Sequence, residues 1–275
     1  MIGLLLENMN WCDIINIGCD IMLGAIYGDK AGSIHEYGQI KTIKPVEVEQ
    51  LIQGNSFYSD DTIETIAVID AILNHKDYGS TLKEYILANE NYKPNFEPYF
   101  KSSFSPNTLK WAKGIENSNS IGNGAMMRIS PVGYLFNTEK DIIENARLAT
   151  IPSHNSEEAI YCATTIALMI FYFRNGLSRE EVYTKLKLQA KYIPFTRFNM
   201  TCGDTIGNCL YVIYYSTSFE DAIRKTLIMG GDTDTNACIV GSVVESIYGM
   251  TTEQKAMAEK DLPSDYVKIL RKVYK

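Results

Sequence analysis

Residues 230–249 read GGDTDTNACIVGSVVESIYG, with two aspartates one residue apart, behind a glycine pair and ahead of a helical stretch. A helix start gains from one carboxylate, which caps free backbone N–H groups and meets the positive end of the dipole. Asp232 or Asp234 can fill that role, and the other is surplus. The helical reading extends outward along the chain. Apolar residues recur at three-to-four spacing in WCDIINIGCDIMLGAIYG (Ile14, Ile17, Ile21, Leu23–Ala25) and in DDTIETIAVIDAIL (Ile63, Ile66, Ala67, Ile69, Ile72). That is the period of a helix facing a core. NSEEAIYCATTIALMIFYF, SREEVYTKL, SFEDAIRKTLIM and PSDYVKILRKVY read as further helices, the last with cations in its final turn. Capping-box patterns open two of these helices, Asp61-x-x-Glu64 and Asn155-x-x-Glu158. Period-two alternation is almost absent, so the expected fold is mainly α.

Two stretches lack helical periodicity, 89–124 and 193–204, and read as long ordered loops rich in turn formers. There is no internal repeat and no linker, so one domain is expected over residues 1–275. The chain has 45% hydrophobic and 21% charged residues, an ordinary globular balance. A net charge of −7 argues against nonspecific nucleic-acid binding, which needs positive charge to displace counterions. A small anionic ligand remains compatible, because a local pocket can differ from the global field. None of the six cysteines (Cys12, Cys19, Cys162, Cys202, Cys209, Cys238) forms a C-x-x-C pair, and they read as buried thiols in a reducing compartment. The N-terminus lacks the basic region of a signal peptide. The longest uncharged apolar run, 159–173, is 15 residues, short of the ~20 needed to span a bilayer. A cytoplasmic protein with no membrane association, and a monomer, is expected.

The acids that could do chemistry fall into three groups. YSDDT (58–62) has adjacent carboxylates at a helix start, GGDTDT (230–235) has its pair at another, and GDKAGSIHEY (28–37) carries Asp29 and Glu36 where the glycines suggest a turn. Capping alone explains any one acid. Adjacent like charges are costly without a cation to offset them, so two pairs plus a nearby Glu fit a binuclear site for hard divalent cations. An EF-hand reading of Asp232-x-Asp234-x-Asn236 fails, because Ala237 and Val243 stand where that loop needs Gly and Glu. An aspartyl phosphotransfer loop would follow a buried strand, whereas LIMGG ends a helix-like segment. In SIGNGAMMRISPVGY, Gly122 and Gly124 flank Asn123 ahead of a short helical stretch, a turn that lets backbone approach an anion. Arg128 is a phosphate ligand or a loop tether, and His154 a loop, capping or site residue. His35 and His75 offer nothing beyond their neighbourhoods.

Taken together, GAIYGDKAGSIHE, SDDT, GNGAMMR, SHN and GGDTDT before a small-residue helix resemble the ADP-ribosylglycohydrolase family, in the family's order and from about residue 16 to residue 249. The resemblance implies an all-α, single-domain orthogonal helical bundle with a binuclear Mg²⁺ or Mn²⁺ site in a cleft. It implies that Ser59, Asp60 and Asp61 bind one metal, that Asp232 and Thr235 bind the other, and that Asp234 bridges them. Glu36 corresponds to a flexible family glutamate that contacts the second metal near the scissile bond, and Glu36 and Asp61 are the catalytic candidates. Gly122, Asn123 and Gly124 would lie along a diphosphate, with His154 near the distal ribose. On this reading the surplus aspartate is explained by one carboxylate serving each metal and one being shared. The departures are Ser59 for a common Thr, Tyr58 for a common Trp, and Glu64 where small or apolar residues are frequent; residues 85–115 match loosely.

The activity implied is metal-dependent hydrolysis of the C1″ bond between ADP-ribose and an acceptor, a protein side chain or small molecule, through an oxocarbenium-like transition state. The alternatives are a non-catalytic ADP-ribose-binding or crystallin-like relative, and a hydrolase of the diphosphate. The acceptor stays open among arginine, serine, a nucleic-acid end and a small molecule.

Overall fold

The computed structural model describes residues 22–44, 46–94, 102–117 and 119–273. These form an all-α fold with no strand among the described residues; only isolated bridges pair Asn119 with His154 and Gly122 with Thr201. The helices run α1 (Gly24–Gln39), α2 (Asp60–Leu73), α3 (Tyr78–Ala88), α4 (Pro106–Ala112), α5 (Gly124–Met127), α6 (Ser130–Leu135) and α7 (Glu139–Thr150). They continue with α8 (Glu157–Arg174), α9 (Arg179–Lys185), α10 (Cys202–Tyr215), α11 (Phe219–Met229), α12 (Thr233–Tyr248), α13 (Thr252–Glu259) and α14 (Ser264–Val273).

The pair α1 and α12 organises the rest. Gly24, Gly28 and Gly32 recur at every fourth position, so they share one helix face. A methyl on Gly28 would collide with the Ala237 carbonyl, one on Gly32 with the backbone of Thr233 and Asp234, and one on Gly24 with the Gly241 carbonyl. The two helices therefore meet backbone to backbone. The glycines that suggested a turn after residue 28 serve this close approach instead, and Asp29 and Glu36 both lie within α1. Glu245 of α12 accepts from the Met22, Leu23 and Gly24 amides (3.1, 3.3 and 2.8 Å) and so supplies the N-terminal cap that Leu23 cannot. Lys30 Nζ reaches the other way and donates to the Met257 and Lys260 carbonyls at the end of α13, each at 2.7 Å.

Around this pair, α8 packs against α6, α7 and α12. It is buried on several faces through Ala163, Ile166, Met169 and Ile170, as its unbroken apolar run requires. No described helix is long and apolar enough to cross a membrane. Cys162, Cys202, Cys209 and Cys238 are buried free thiols. Cys12, Cys19, Ile14, Ile17 and Ile21 lie outside the described residues.

Both capping boxes are displaced. Ser59, not Asp61, caps α2, and Ser156, not Asn155, caps α8. The carboxylates assigned to those boxes go to tertiary partners: Glu64 to Arg128, and Glu158 Oε1 to the Gly203 amide at 3.0 Å. Within 89–124, Ser105 and Pro106 start the short helix α4, a signal hidden by the turn-rich composition. The loop expected over 193–204 ends early, because Thr201 caps α10.

Candidate active site

The acids of α1, α2 and α12 converge. Asp29 and Glu36 are two helical turns apart, roughly 10 Å along the axis and on one face. Asp29 is fully buried, and its Oδ2 accepts from the amides of Ser59 (2.8 Å) and Thr62 (3.1 Å) and from the Thr62 hydroxyl. It thus pins the turn that opens α2. Ser59 Oγ accepts from the Asp61 amide at 3.2 Å and donates to Asp61 Oδ2 at 3.3 Å, an oxygen that Thr235 Oγ1 also approaches at 3.4 Å. On α12, Asp234 Oδ1 accepts from the Thr235 amide at 2.9 Å. Asp232 stands at the cap position without making a side-chain cap bond. Its Oδ2 accepts instead from Asn123 Nδ2 at 2.6 Å, and its amide donates to Asn199 Oδ1 at 2.9 Å. Asp232 is therefore turned into the site, away from the helix end.

These residues form two triads that share a member. One carboxylate oxygen from each of Asp29, Asp61 and Asp234 lies within 4.8 Å of the others, and the same holds for Glu36, Asp232 and Asp234. Asp60 lines the cleft beside them and belongs to neither triad. Burial first, then the Asp234 charge, raises Asp29 to about 7. The same two causes push Glu36 and Asp61 well above the ordinary carboxylate range. Burial followed by Glu64 raises Asp60, and burial followed by Asp232 raises Asp234. Asp29 Oδ1 and Asp61 Oδ1 are buried without a hydrogen-bond partner. Unpartnered buried carboxylate oxygens are costly, and a cluster of them with hydroxyls nearby is the donor set of a hard divalent cation. The residues present fit such ions.

All the sequence-predicted site residues come together on one cleft of about 860 Å³: Glu36, Ser59, Asp60, Asp61, Gly122, Asn123, Gly124, His154, Asp232, Asp234 and Thr235. The glycine turn differs in detail from its anion-cradle reading. Its helix, α5, is only four residues long. The Gly122 and Asn123 amides already donate to Ser120 Oγ (3.0 Å) and to the Met200 carbonyl (2.9 Å). What the turn offers a ligand is close approach. Arg128 is a tether: it is 2% exposed and ion-paired with the equally buried Glu64.

The sequence profile described as ADP-ribosylglycohydrolase matches residues 17–272. The chain belongs to the ADP-ribosylglycohydrolase family. It is similar to the ADP-ribosylarginine hydrolase Tri1 of Pseudomonas putida, at 20% identity over 90% of this chain and 75% of that one. It is also similar to the mouse ADP-ribosylhydrolase ARH3, at 23% identity over 85% of this chain and 83% of that one. A solved ADP-ribosylglycohydrolase-related protein complex shares the fold with a TM-score of 0.65 and 17% identity, covering 93% of this chain and 95% of that one. Membership in the ADP-ribosylglycohydrolase family supports hydrolysis of ADP-ribose linkages as the class of chemistry.

Asp29, one of the candidate acids in the sequence, is absent from the ligand set that the resemblance implies, yet it joins the cluster. Helical spacing from Glu36 is the signal that links the two, and the glycines around Asp29, which suggest a turn, mask it. Glu64, noted as a departure from the family pattern, is the buried counter-ion of Arg128 at the cleft wall.

Proposed function

We propose that the protein is a divalent-cation-dependent hydrolase that cleaves the C1″ glycosidic bond of an ADP-ribosylated protein or small molecule and releases ADP-ribose. The observation that carries this reading is the pair of carboxylate triads joined through Asp234, with buried unpartnered oxygens on Asp29 and Asp61. Ser59, Asp60, Asp61, Asp232, Asp234, Thr235 and Glu36 would hold two Mg²⁺ or Mn²⁺ ions, with Asp29 facing the same space. Bound there, such ions supply Lewis acidity that activates water and steadies ribose hydroxyls.

The chain's own residues do the rest. Glu36 is half-buried at the cleft, where burial and the Asp234 charge raise its proton affinity above that of an ordinary carboxylate, as is common for groups that move protons. It takes a proton from the attacking water as the water oxygen bonds to C1″. The acceptor leaves with the bonding pair and receives that proton back from Glu36, which restores the base. Asp61 is held in place by Ser59 and Thr235. Asn123 fixes Asp232. Chelator-treated protein, resupplied with Mg²⁺ or Mn²⁺ and offered arginine-, serine-, nucleic-acid- and acetyl-linked ADP-ribose, tests the reading by product analysis. Free ADP-ribose supports it. AMP would indicate diphosphate cleavage, and full activity in chelator after confirmed metal removal would refute the cation site.

A further inference from the structure

A buried polar chain runs from α2 to the cleft. Glu64 Oε2 accepts from Arg128 Nη1, Arg128 Nη2 donates to Ser153 Oγ, and Ser153 Oγ lies 2.7 Å from His154 Nδ1. All four side chains are largely buried: Glu64 and Arg128 are 2% exposed, Ser153 7% and His154 9%. None of them belongs to the carboxylate triads. At its far end the imidazole stands against the glycine turn. A methyl on Gly122 or Gly124 would lie 3.4 or 3.5 Å from His154 Nε2, so that nitrogen borders the space where the two missing side chains leave the cleft open.

From this arrangement we infer that Glu64, Arg128 and Ser153 are positioning residues that fix His154 as the Nε2–H tautomer, a hydrogen-bond donor aimed into the cleft beside Gly122 and Gly124. The direction of each bond follows from its donors. Guanidinium can only donate, so Ser153 Oγ accepts from Arg128. The serine hydrogen then needs an acceptor, and Nδ1 is the one in reach. The opposite arrangement would point an Nδ1–H at an oxygen already bound by a cation and leave the serine hydrogen buried without a partner. With Nδ1 accepting, the ring proton sits on Nε2, as when a neighbouring hydrogen bond sets the tautomer of other histidines. Burial and the Arg128 charge keep the imidazole neutral. Glu64 is required because it balances Arg128; without it a cation would stand uncompensated behind the histidine.

The ligand role of Nε2–H rests on the proposed ADP-ribose reading: it donates to a phosphate or ribose oxygen of the nucleotide in the cleft. The tautomer itself does not depend on that reading, which separates the two tests. Nitrogen-15 NMR of the free protein resolves its three histidines, His35, His75 and His154, and His154→Asn assigns the relevant pair of signals. The wild type should show a protonated Nε2 and a bare Nδ1 at His154. Ser153→Ala should give a tautomer mixture, and Ser153→Thr, which restores the hydroxyl, should recover the single form. Glu64→Gln is a riskier probe of folding, so the serine pair carries the test. ADP-ribose affinity by calorimetry should fall about tenfold in Ser153→Ala and recover in Ser153→Thr, the effect of one misdirected hydrogen bond. A wild-type Nδ1–H tautomer, or a pure Nε2–H form in Ser153→Ala, would overturn the relay. Correct tautomers with no ADP-ribose binding by the wild type would uphold the relay and sink the ligand assignment.

Discussion

Gly28→Ala adds one methyl group at the tightest point of the α1–α12 contact, and its cost can be worked from the geometry. The new carbon would lie under 3.0 Å from the Ala237 carbonyl oxygen, its carbon and the Cys238 nitrogen. Non-bonded carbon contacts need about 3.5 Å. All three obstacles are backbone, so no rotamer change relieves them, and the helices must part by roughly 1 Å. Overpacking of this kind costs about 1–3 kcal/mol, against a helix-propensity gain of about 1 kcal/mol for replacing glycine. A net loss of about 1–2 kcal/mol follows if the clash sits at the upper end of that range, as rigid backbone demands. The control lies on the same helix. Gly38 is exposed, and a methyl there meets nothing within 4 Å, so Gly38→Ala should gain about 0.5–1 kcal/mol. Urea unfolding in chelator, read as a midpoint change at constant slope, measures both. The parted helices should also weaken Mn²⁺ binding in calorimetry, because Asp29 and Asp234 ride on opposite members of the pair. Shifts of the same sign in the two variants would refute the argument that this contact sets both the fold and the site.

Three further outcomes are expected. Asp234→Ala removes the carboxylate common to both triads, so elemental analysis should show loss of bound cation with loss of ADP-ribose affinity; retention of two ions would refute the shared-ligand geometry. Glu36→Gln keeps size and one oxygen that can still face a cation but removes the base, so single-turnover hydrolysis should drop about 10²–10⁴-fold while cation content changes much less than in Asp234→Ala, and near-normal turnover would refute its role. Cation-free protein should lose stability as pH rises from about 5 to 7 and level off above that. Burial raises Asp29 and Glu245 to about 7, so the folded state holds protons the unfolded chain has shed, and that advantage disappears as pH passes the folded value. Added Mg²⁺ should restore more stability at pH 8 than at pH 6.5, where protons compete for the ligands, and a cation-free midpoint flat from about pH 5 to 7 would refute the assignment.

The helices were legible because their apolar spacing is a local signal: Ile63, Ile66 and Ile69 are all buried on α2. The position of α1 was not. Gly28 and Gly32 carry the same letters whether they serve a turn or a close helix contact, and the partner that decides lies some two hundred residues away on α12. Caps were misplaced by one or two residues for a related reason. An acid at the third helical position reads as half of a capping box, but Glu64 and Glu158 have tertiary partners that no local window contains.

The site was legible to the extent that its acids exceed what their own helices can use. Asp232, Asp234, Asp60 and Asp61 stand at two helix starts, and a helix start needs one carboxylate at most. The structure puts Ser59 at one cap and turns Asp232 towards Asn123 at the other, so neither pair is consumed by capping. Asp29 escaped this count because a single acid inside a helix leaves no local surplus. Its surplus is visible only in three dimensions, where Oδ2 receives three hydrogen bonds from α2 and its approach while Oδ1 receives none. A carboxylate with one oxygen saturated and the other bare is held in a fixed orientation, and one of its oxygens lies within 4.8 Å of carboxylate oxygens of Asp61 and Asp234. Asp29 therefore contributes to the site in two ways. It orients the turn that presents Ser59 and Asp61, and it adds negative charge behind them, which a bound cation would offset.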